Sequence, residues 1–100
     1  MAGEVRRFRK KPVVIEAWQI PPDNGGPHHA PVWVTDAVAH DLLTAIPGGG
    51  IDVQTLEGNM RGNVGDWIIK GVKDELYPCK PDIFEATYEL VNGPAQEPRL

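Results

Sequence analysis

The chain contains a single cysteine in 100 residues, and this scarcity narrows the possible chemistry. Cys79 cannot form a disulfide within one chain, and one thiolate does not make a structural zinc site. A reactive thiol stays open as an alternative, because the neighbouring Lys80 would favour the thiolate. A working nucleophile also needs a base and an orienting group, which adjacency in sequence does not supply. We therefore predict a small buried thiol in a strand.

Long apolar runs are also lacking. None approaches the roughly 20 residues that a helix needs to span a bilayer. The basic N-terminus is not followed by the apolar stretch and small-residue cleavage site of a signal peptide. These absences predict a cytoplasmic protein that does not associate with a membrane.

Basic residues are scarce outside one short segment. Residues 6–11 hold five of the ten, namely Arg6, Arg7, Arg9, Lys10 and Lys11. The net charge is −4, so the rest of the chain is distinctly acidic. An acidic body excludes broad nucleic-acid binding, which needs a basic face to displace counterions. The basic segment is either a solvated arm or a local contact for an anion.

The apolar pattern of the first half predicts one strand and one helix. Residues 12–20 are rich in β-branched and aromatic side chains, as is typical of a strand. Residues 21–31 have the composition of a loop. Apolar residues at helical spacing then predict a helix over residues 32–46, which "PGGG" at residues 47–50 would end.

From Ile51 onward the pattern changes to short strands separated by turns. The predicted strands are residues 51–56, 60–64, 67–72, 76–80 and 87–91, with a single helical turn over residues 81–86. The order predicts an α+β fold in which one main helix packs on a small curved antiparallel sheet. Glycines at positions 62, 65 and 71 allow strong curvature, up to a partly closed barrel. We predict a flexible arm at residues 1–7, a single domain at residues 8–91 and a disordered tail at residues 92–100.

Catalytic and metal motifs are weak. Asp36 and His40 share a helix face at i, i+4 and would offer two zinc ligands. A solvent-exposed histidine without a metal is the simpler interpretation. "PGGG" lacks the lysine and hydroxyl residue of a phosphate-binding loop. Most of the acidic side chains sit at turns or helix starts, where carboxylates are favoured structurally. We predict no metal, no cofactor and no enzymatic activity; a small hydrolase using Cys79 or these carboxylates is the weaker alternative.

What remains is an aromatic and basic surface. Aromatic rings near cations can stack on a base and hold a phosphate, or they can be core rings with solubilising lysines around them. If this surface binds a ligand, we predict that the phosphate contacts are Arg9, Lys11, Arg61, Lys70 and Lys80. The stacking residues are Trp18, Trp67 and Tyr77.

Two stretches carry a resemblance to a known family. "RFRKKPVVIEAWQ" at residues 7–19 and "GDWIIKGVKDELYPCKPDIFEATYE" at residues 65–89 resemble a widespread family of small bacteriophage and prophage proteins. The resemblance implies a phage origin and a small α+β fold, and it carries over no catalytic residues. By analogy with other small phage proteins, it favours action by binding, either to a host defence protein or to a nucleotide-like signal.

These expectations combine into one leading hypothesis and one alternative. The leading hypothesis is a phage-encoded, non-enzymatic homo-oligomer that binds and sequesters a small anionic or nucleotide-like molecule. In a domain of this size the natural place for such a site is between subunits. The alternative is a protein-interaction module, either an inhibitor of a host protein or a virion accessory, which would use an exposed strand edge.

Overall fold

The structure is a computed structural model that describes residues 6–9, 11–22 and 30–91. The predicted disordered tail at residues 92–100 lies outside this range, as do residues 1–5 of the flexible arm predicted at residues 1–7. The elements in chain order are β1 (Glu16–Gln19), α1 (Val32–Ala39), β2 (Leu43–Ala45), β3 (Ile51–Thr55), β4 (Gly58–Gly62), β5 (Trp67–Lys70), β6 (Leu76–Cys79) and α2 (Pro81–Thr87).

The strands form two sheets, so the prediction of a single curved sheet is wrong. One sheet has the order β1-β5-β6 and the other β2-β3-β4, and every neighbouring pair is antiparallel. Neither sheet closes into a barrel within the described residues. The broad α+β class is confirmed, but with two helices and two sheets.

The main helix is shorter than predicted, because the chain turns sharply after Ala39. Asp41 adopts a left-handed conformation with φ of 63°. The Leu42 N–H then donates to the Ala37 carbonyl and the Asp41 N–H to the Val38 carbonyl, at 2.8 and 3.1 Å. These two bonds form a Schellman cap, with aspartate at the position usually held by glycine. The predicted last helical residues instead form β2, which pairs with β3.

The end of the domain also differs from the prediction. Residues 81–87 form two helical turns rather than one, with the Phe84 N–H bonded to Lys80 and the Tyr88 N–H to Phe84. The predicted strand over residues 87–91 is absent from the described structure. Pro81 begins the helix, where its missing N–H costs nothing.

The main core lies between the two sheets and α1. Its buried members are Ile20, Val34, Ala37, Leu43, Ile51, Val53, Ile68 and Leu76. Gly62 lets the sheets approach closely at this point, because a Cβ there would lie 2.9 Å from the Ile20 Cδ1. Neither helix in the described part of the chain is long and apolar enough to cross a membrane.

Candidate functional site

Strand alternation separates the three predicted stacking residues. Trp18 lies opposite Ile68 and packs against the main core. Tyr77 lies opposite Ile69, and Trp67 lies opposite Cys79, on the other face of the same sheet. Trp18 is thus a packing residue, and it does not share a surface with the other two.

Helix α2 covers that other face with an aromatic cluster. The Trp67 and Phe84 rings stack with centroids 4.3 Å apart and planes 9° apart, and Tyr88 follows Phe84 at 5.0 Å. The Tyr77 and Tyr88 hydroxyls lie 3.5 Å apart. Burial, together with the interaction with the Tyr88 hydroxyl, raises the pKa of Tyr77. Phe84 therefore occupies one face of the predicted stacking ring Trp67.

The sequence analysis did not include Phe84 and Tyr88 among the candidate site residues, although these two aromatic residues are only four positions apart in the chain. That spacing places two aromatic rings on one side of a helix of two turns. The single turn predicted for residues 81–86 was too short to show this. The Trp67 indole Nε1 is buried beneath the cluster and has no hydrogen-bond partner among the described residues.

Lys70 and Lys80, the predicted phosphate contacts at the β1-β5-β6 sheet, form ion pairs with carboxylates. The Lys80 Nζ lies 3.0 Å from the Asp66 Oδ2, and the same oxygen accepts the Asn63 N–H at 3.0 Å. Asp66 is buried, so this pair fixes the turn before β5. The Lys70 Nζ lies 3.5 Å from the exposed Asp74 carboxylate, a pair worth little in free energy.

The other predicted cations lie elsewhere. Arg61 is exposed on β4 in the second sheet, opposite Asp52 of β3. Arg9 and Lys11 are exposed ahead of β1, and neither has an ion-pair partner in the described part of the chain. The structure therefore does not bring the eight predicted ligand residues together on one chain.

The described residues do not assemble a metal-binding group. No group of three His, Cys, Asp or Glu side chains there could hold a metal ion. The His40 Nδ1 lies 2.8 Å from the Asp36 backbone carbonyl, so this histidine caps the helix and does not pair with the carboxylate. Cys79 is half-buried in β6, and its Sγ lies 3.6 Å from the Lys80 carbonyl oxygen.

Two concave regions have very different character. A small pocket of 210 Å³ lies between α1 and the β5–β6 turn, where Trp33 and Lys70 face the carboxylates of Asp36 and Asp74. A larger one of 470 Å³ lies between the tip of the β3–β4 hairpin and β6. We call the latter the hairpin groove; its walls include Leu56, Met60, Tyr77, Pro78, Glu57 and Glu75.

Local hydrogen bonds hold the rim of the hairpin groove. The Thr55 hydroxyl donates to the Gly58 carbonyl at 2.7 Å and accepts the Glu57 N–H at 3.0 Å. On the opposite rim, the Glu75 Oε1 accepts the Lys73 N–H at 2.9 Å. The groove therefore has an apolar floor and two positioned acidic residues, and none of the described residues that line it is basic.

Comparisons of the chain with models of protein families, with curated proteins and with solved structures find no match in any of the three. The resemblance of residues 7–19 and 65–89 to small phage proteins accordingly stays a prediction.

Proposed function

We propose that this protein is a non-enzymatic interaction module that holds a segment of another protein in the hairpin groove. The observation that carries the proposal is the groove itself, an apolar concavity of 470 Å³ with Leu56 and Met60 exposed at its entrance. Ligand sites are usually concave, mostly apolar and about 300–1,000 Å³ in volume. With the phage origin implied by the sequence resemblance, the partner is a protein of the bacterial host.

The charge of the groove decides what kind of segment it suits. Glu57 and Glu75 lie on its two rims, and no cation balances them among the described residues of the lining. Complementary charges across an interface favour the right partner and exclude others. The preferred ligand is therefore an apolar side chain flanked by lysine or arginine, and a nucleotide phosphate is disfavoured in this groove.

Selection from a random-peptide library on the full-length protein tests the proposal. We expect the enriched peptides to carry an aromatic or aliphatic residue flanked by basic residues. Met60→Lys removes an apolar wall and adds a positive charge that repels the basic flanks, so it should weaken the binding of these peptides at least about tenfold, the equivalent of roughly 1.4 kcal/mol. Binding is measured by titration of a fluorescent enriched peptide.

Val64→Lys is the matched control. Val64 is 43% exposed and Met60 46% exposed, but Val64 does not line the groove. The control should bind as the native protein does. A library that yields no enriched peptide, or peptides that bind Met60→Lys unchanged, would overturn the proposal.

The sequestration of a small anion is the second candidate, favoured by the exposed charges of Arg9 and Lys11, which have no ion-pair partner among the described residues. The 210 Å³ pocket beside Lys70 is below the usual range for a ligand site and contains two carboxylates. An anion site is thus better placed where the basic arms of two copies meet in a homo-oligomer. Such a site needs both copies, since one chain does not gather the predicted cations.

Calorimetry with two probes, ADP-ribose and a cyclic dinucleotide, tests this candidate. We expect one of them to bind the native protein and to bind the double variant Arg9→Ser, Lys11→Ser about tenfold more weakly, because charged hydrogen bonds to phosphate are lost. Arg61→Ser removes an exposed cation from the other sheet and is the control. The absence of heat with both probes contradicts the candidate.

A further inference from the structure

We infer that the free edge of β1 and of the residues before it is a dimer interface, at which residues 11–17 pair antiparallel with the same residues of a second copy. The interface is distinct from the hairpin groove, since the groove lies beside β6 and β1 is at the other edge of its sheet. The argument rests on a strand that extends beyond its partner, on exposed valines, and on the direction of the backbone groups.

The strand-forming segment is longer than the strand that forms within the chain. Residues 12–20 have the composition of one continuous strand, yet only Glu16–Gln19 pairs with β5. The reason is the length of β5, which ends at Lys70 where the turn to β6 begins. Residues 12–15 therefore have no strand beside them in the described structure.

The side chains of this extension are apolar and uncovered. Val14 is 73% exposed and Val13 is 47% exposed. β-branched residues favour a strand whose faces are covered by neighbours. Exposed strand edges with such residues are ready templates for pairing with another chain.

The hydrogen bonds of Ile20 establish which backbone groups point outward. Its N–H donates to the Asp66 carbonyl and its carbonyl accepts the Gly65 N–H, both at 2.9 Å, so Ile20 faces β5. In an antiparallel ladder the direction alternates, so the groups of Ala17 and Gln19 point to the free edge. Continued back along the chain, the same alternation points Ile15, Val13 and Lys11 outward.

Pro12 fits this arrangement. By the same alternation the Pro12 nitrogen points to the side of the strand where β5 lies, but β5 does not extend as far as Pro12. The missing N–H therefore removes no hydrogen-bond donor from the outward edge. Proline within a strand is tolerated where it removes no ladder bond. The edge from Lys11 to Ala17 can therefore pair without interruption.

A second copy is the occupant that this edge suits best. An antiparallel strand pair is self-complementary under two-fold symmetry, and one centred on Val14 places Val13 of each copy opposite Ile15 of the other. Charge agrees, because the basic arm of each copy then runs along the other's body. Residues 12–100 carry thirteen acidic and five basic side chains. The pairing joins two three-stranded sheets into one.

In this dimer Arg9 and Lys11 of each copy lie beside the other copy's β1, so the two basic arms lie at opposite ends of the strand pair and do not meet. The interface therefore does not create the shared anion site of the second candidate. The test uses no ligand, so the interface and the anion site can fail separately. The interface does not depend on the peptide groove.

The first measurement is the mass of the full-length protein in solution by light scattering and native mass spectrometry. We expect twice the 11.0 kDa chain mass. Val13→Pro removes an outward donor from each copy and should weaken the dimer about a hundredfold, because two partner carbonyls lose their hydrogen bonds. Val72→Pro, at an exposed valine in the β5–β6 turn, is the control and should leave the dimer mass unchanged. A native protein that stays monomeric over the full concentration range overturns the inference.

A disulfide trap locates the interface. In a Cys79→Ser background, Val14→Cys should cross-link two copies on mild oxidation, because opposed residues in an antiparallel pair have Cα atoms about 4.5–5.5 Å apart, within reach of a disulfide. Val72→Cys in the same background is the control and should stay largely uncross-linked. A dimer in which Val14→Cys cross-links no faster than Val72→Cys would show that the interface lies elsewhere and would overturn the inference.

Discussion

Replacement of Ile68 by alanine is expected to lower the free energy of unfolding by about 3–4 kcal/mol. Ile68 is fully buried in the central strand of its sheet, between Trp18 on β1 and Pro78 on β6. Its loss leaves a cavity where the two sheets meet, and the packing around Gly62 allows little collapse. Domains of this kind have a total stability of about 5–15 kcal/mol, so the change removes a large share.

Val72→Ala is the matched control for this prediction. Val72 is 63% exposed in the turn that follows the same strand, so its truncation should change stability by less than about 0.5 kcal/mol. Urea denaturation of both variants, with an unchanged slope, gives the comparison. Equal losses in the two variants would mean that Ile68 is not at the centre of the core.

The short strands were the most predictable part of the fold, because their signal is local. Alternating apolar residues predicted strands at residues 51–56, 67–72 and 76–80, and the structure has strands within each of these ranges. Alternation along β5 also places Ile68 and Ile69 on opposite faces of the sheet, with Ile68 in the main core. It did not reveal that both faces of the sheet are covered, one by the main core and the other by α2.

The prediction of a helix in residues 40–46 is wrong because it ignores a contact with a strand further along the chain. Leu42, Leu43 and Ala45 are good helix formers, and local propensity continues the helix through them. In the fold Leu43 is buried and pairs with Val53, ten positions further along the chain. That tertiary contact outweighs the propensity, and the αL conformation of Asp41 is the local sign of it.

The candidate site was harder to predict, because partners distant in sequence decide which charges remain free. Lys80 belongs to the block singled out for anion binding, but its ammonium group pairs with Asp66, fourteen positions away. The hairpin groove joins Met60 to Tyr77, residues on different sheets, and no spacing in the sequence signals this. Among the predicted phosphate contacts, Arg9, Lys11 and Arg61 are exposed.

Gly50→Ala is expected to destabilise the fold by about 2–4 kcal/mol through two separate effects. Gly50 has φ of 94°, a backbone conformation that costs other residues about 1–3 kcal/mol. A Cβ there would also lie 2.9 Å from the Gly62 carbonyl oxygen, which belongs to the backbone of β4. Overpacking of this kind typically costs a further 1–3 kcal/mol.

Gly48→Ala separates the two effects. Gly48 has nearly the same φ, 93°, and lies in the same turn, but a Cβ there meets no atom within 4 Å. Gly48→Ala therefore introduces backbone strain alone. The difference in the free energy of unfolding between the two variants measures the cost of the overlap with β4. We expect Gly50→Ala to be at least about 1 kcal/mol less stable than Gly48→Ala in urea denaturation. Equal stabilities would show that β4 moves away freely, and the close approach of the hairpin strands at Gly62 would then not be a rigid feature of the core.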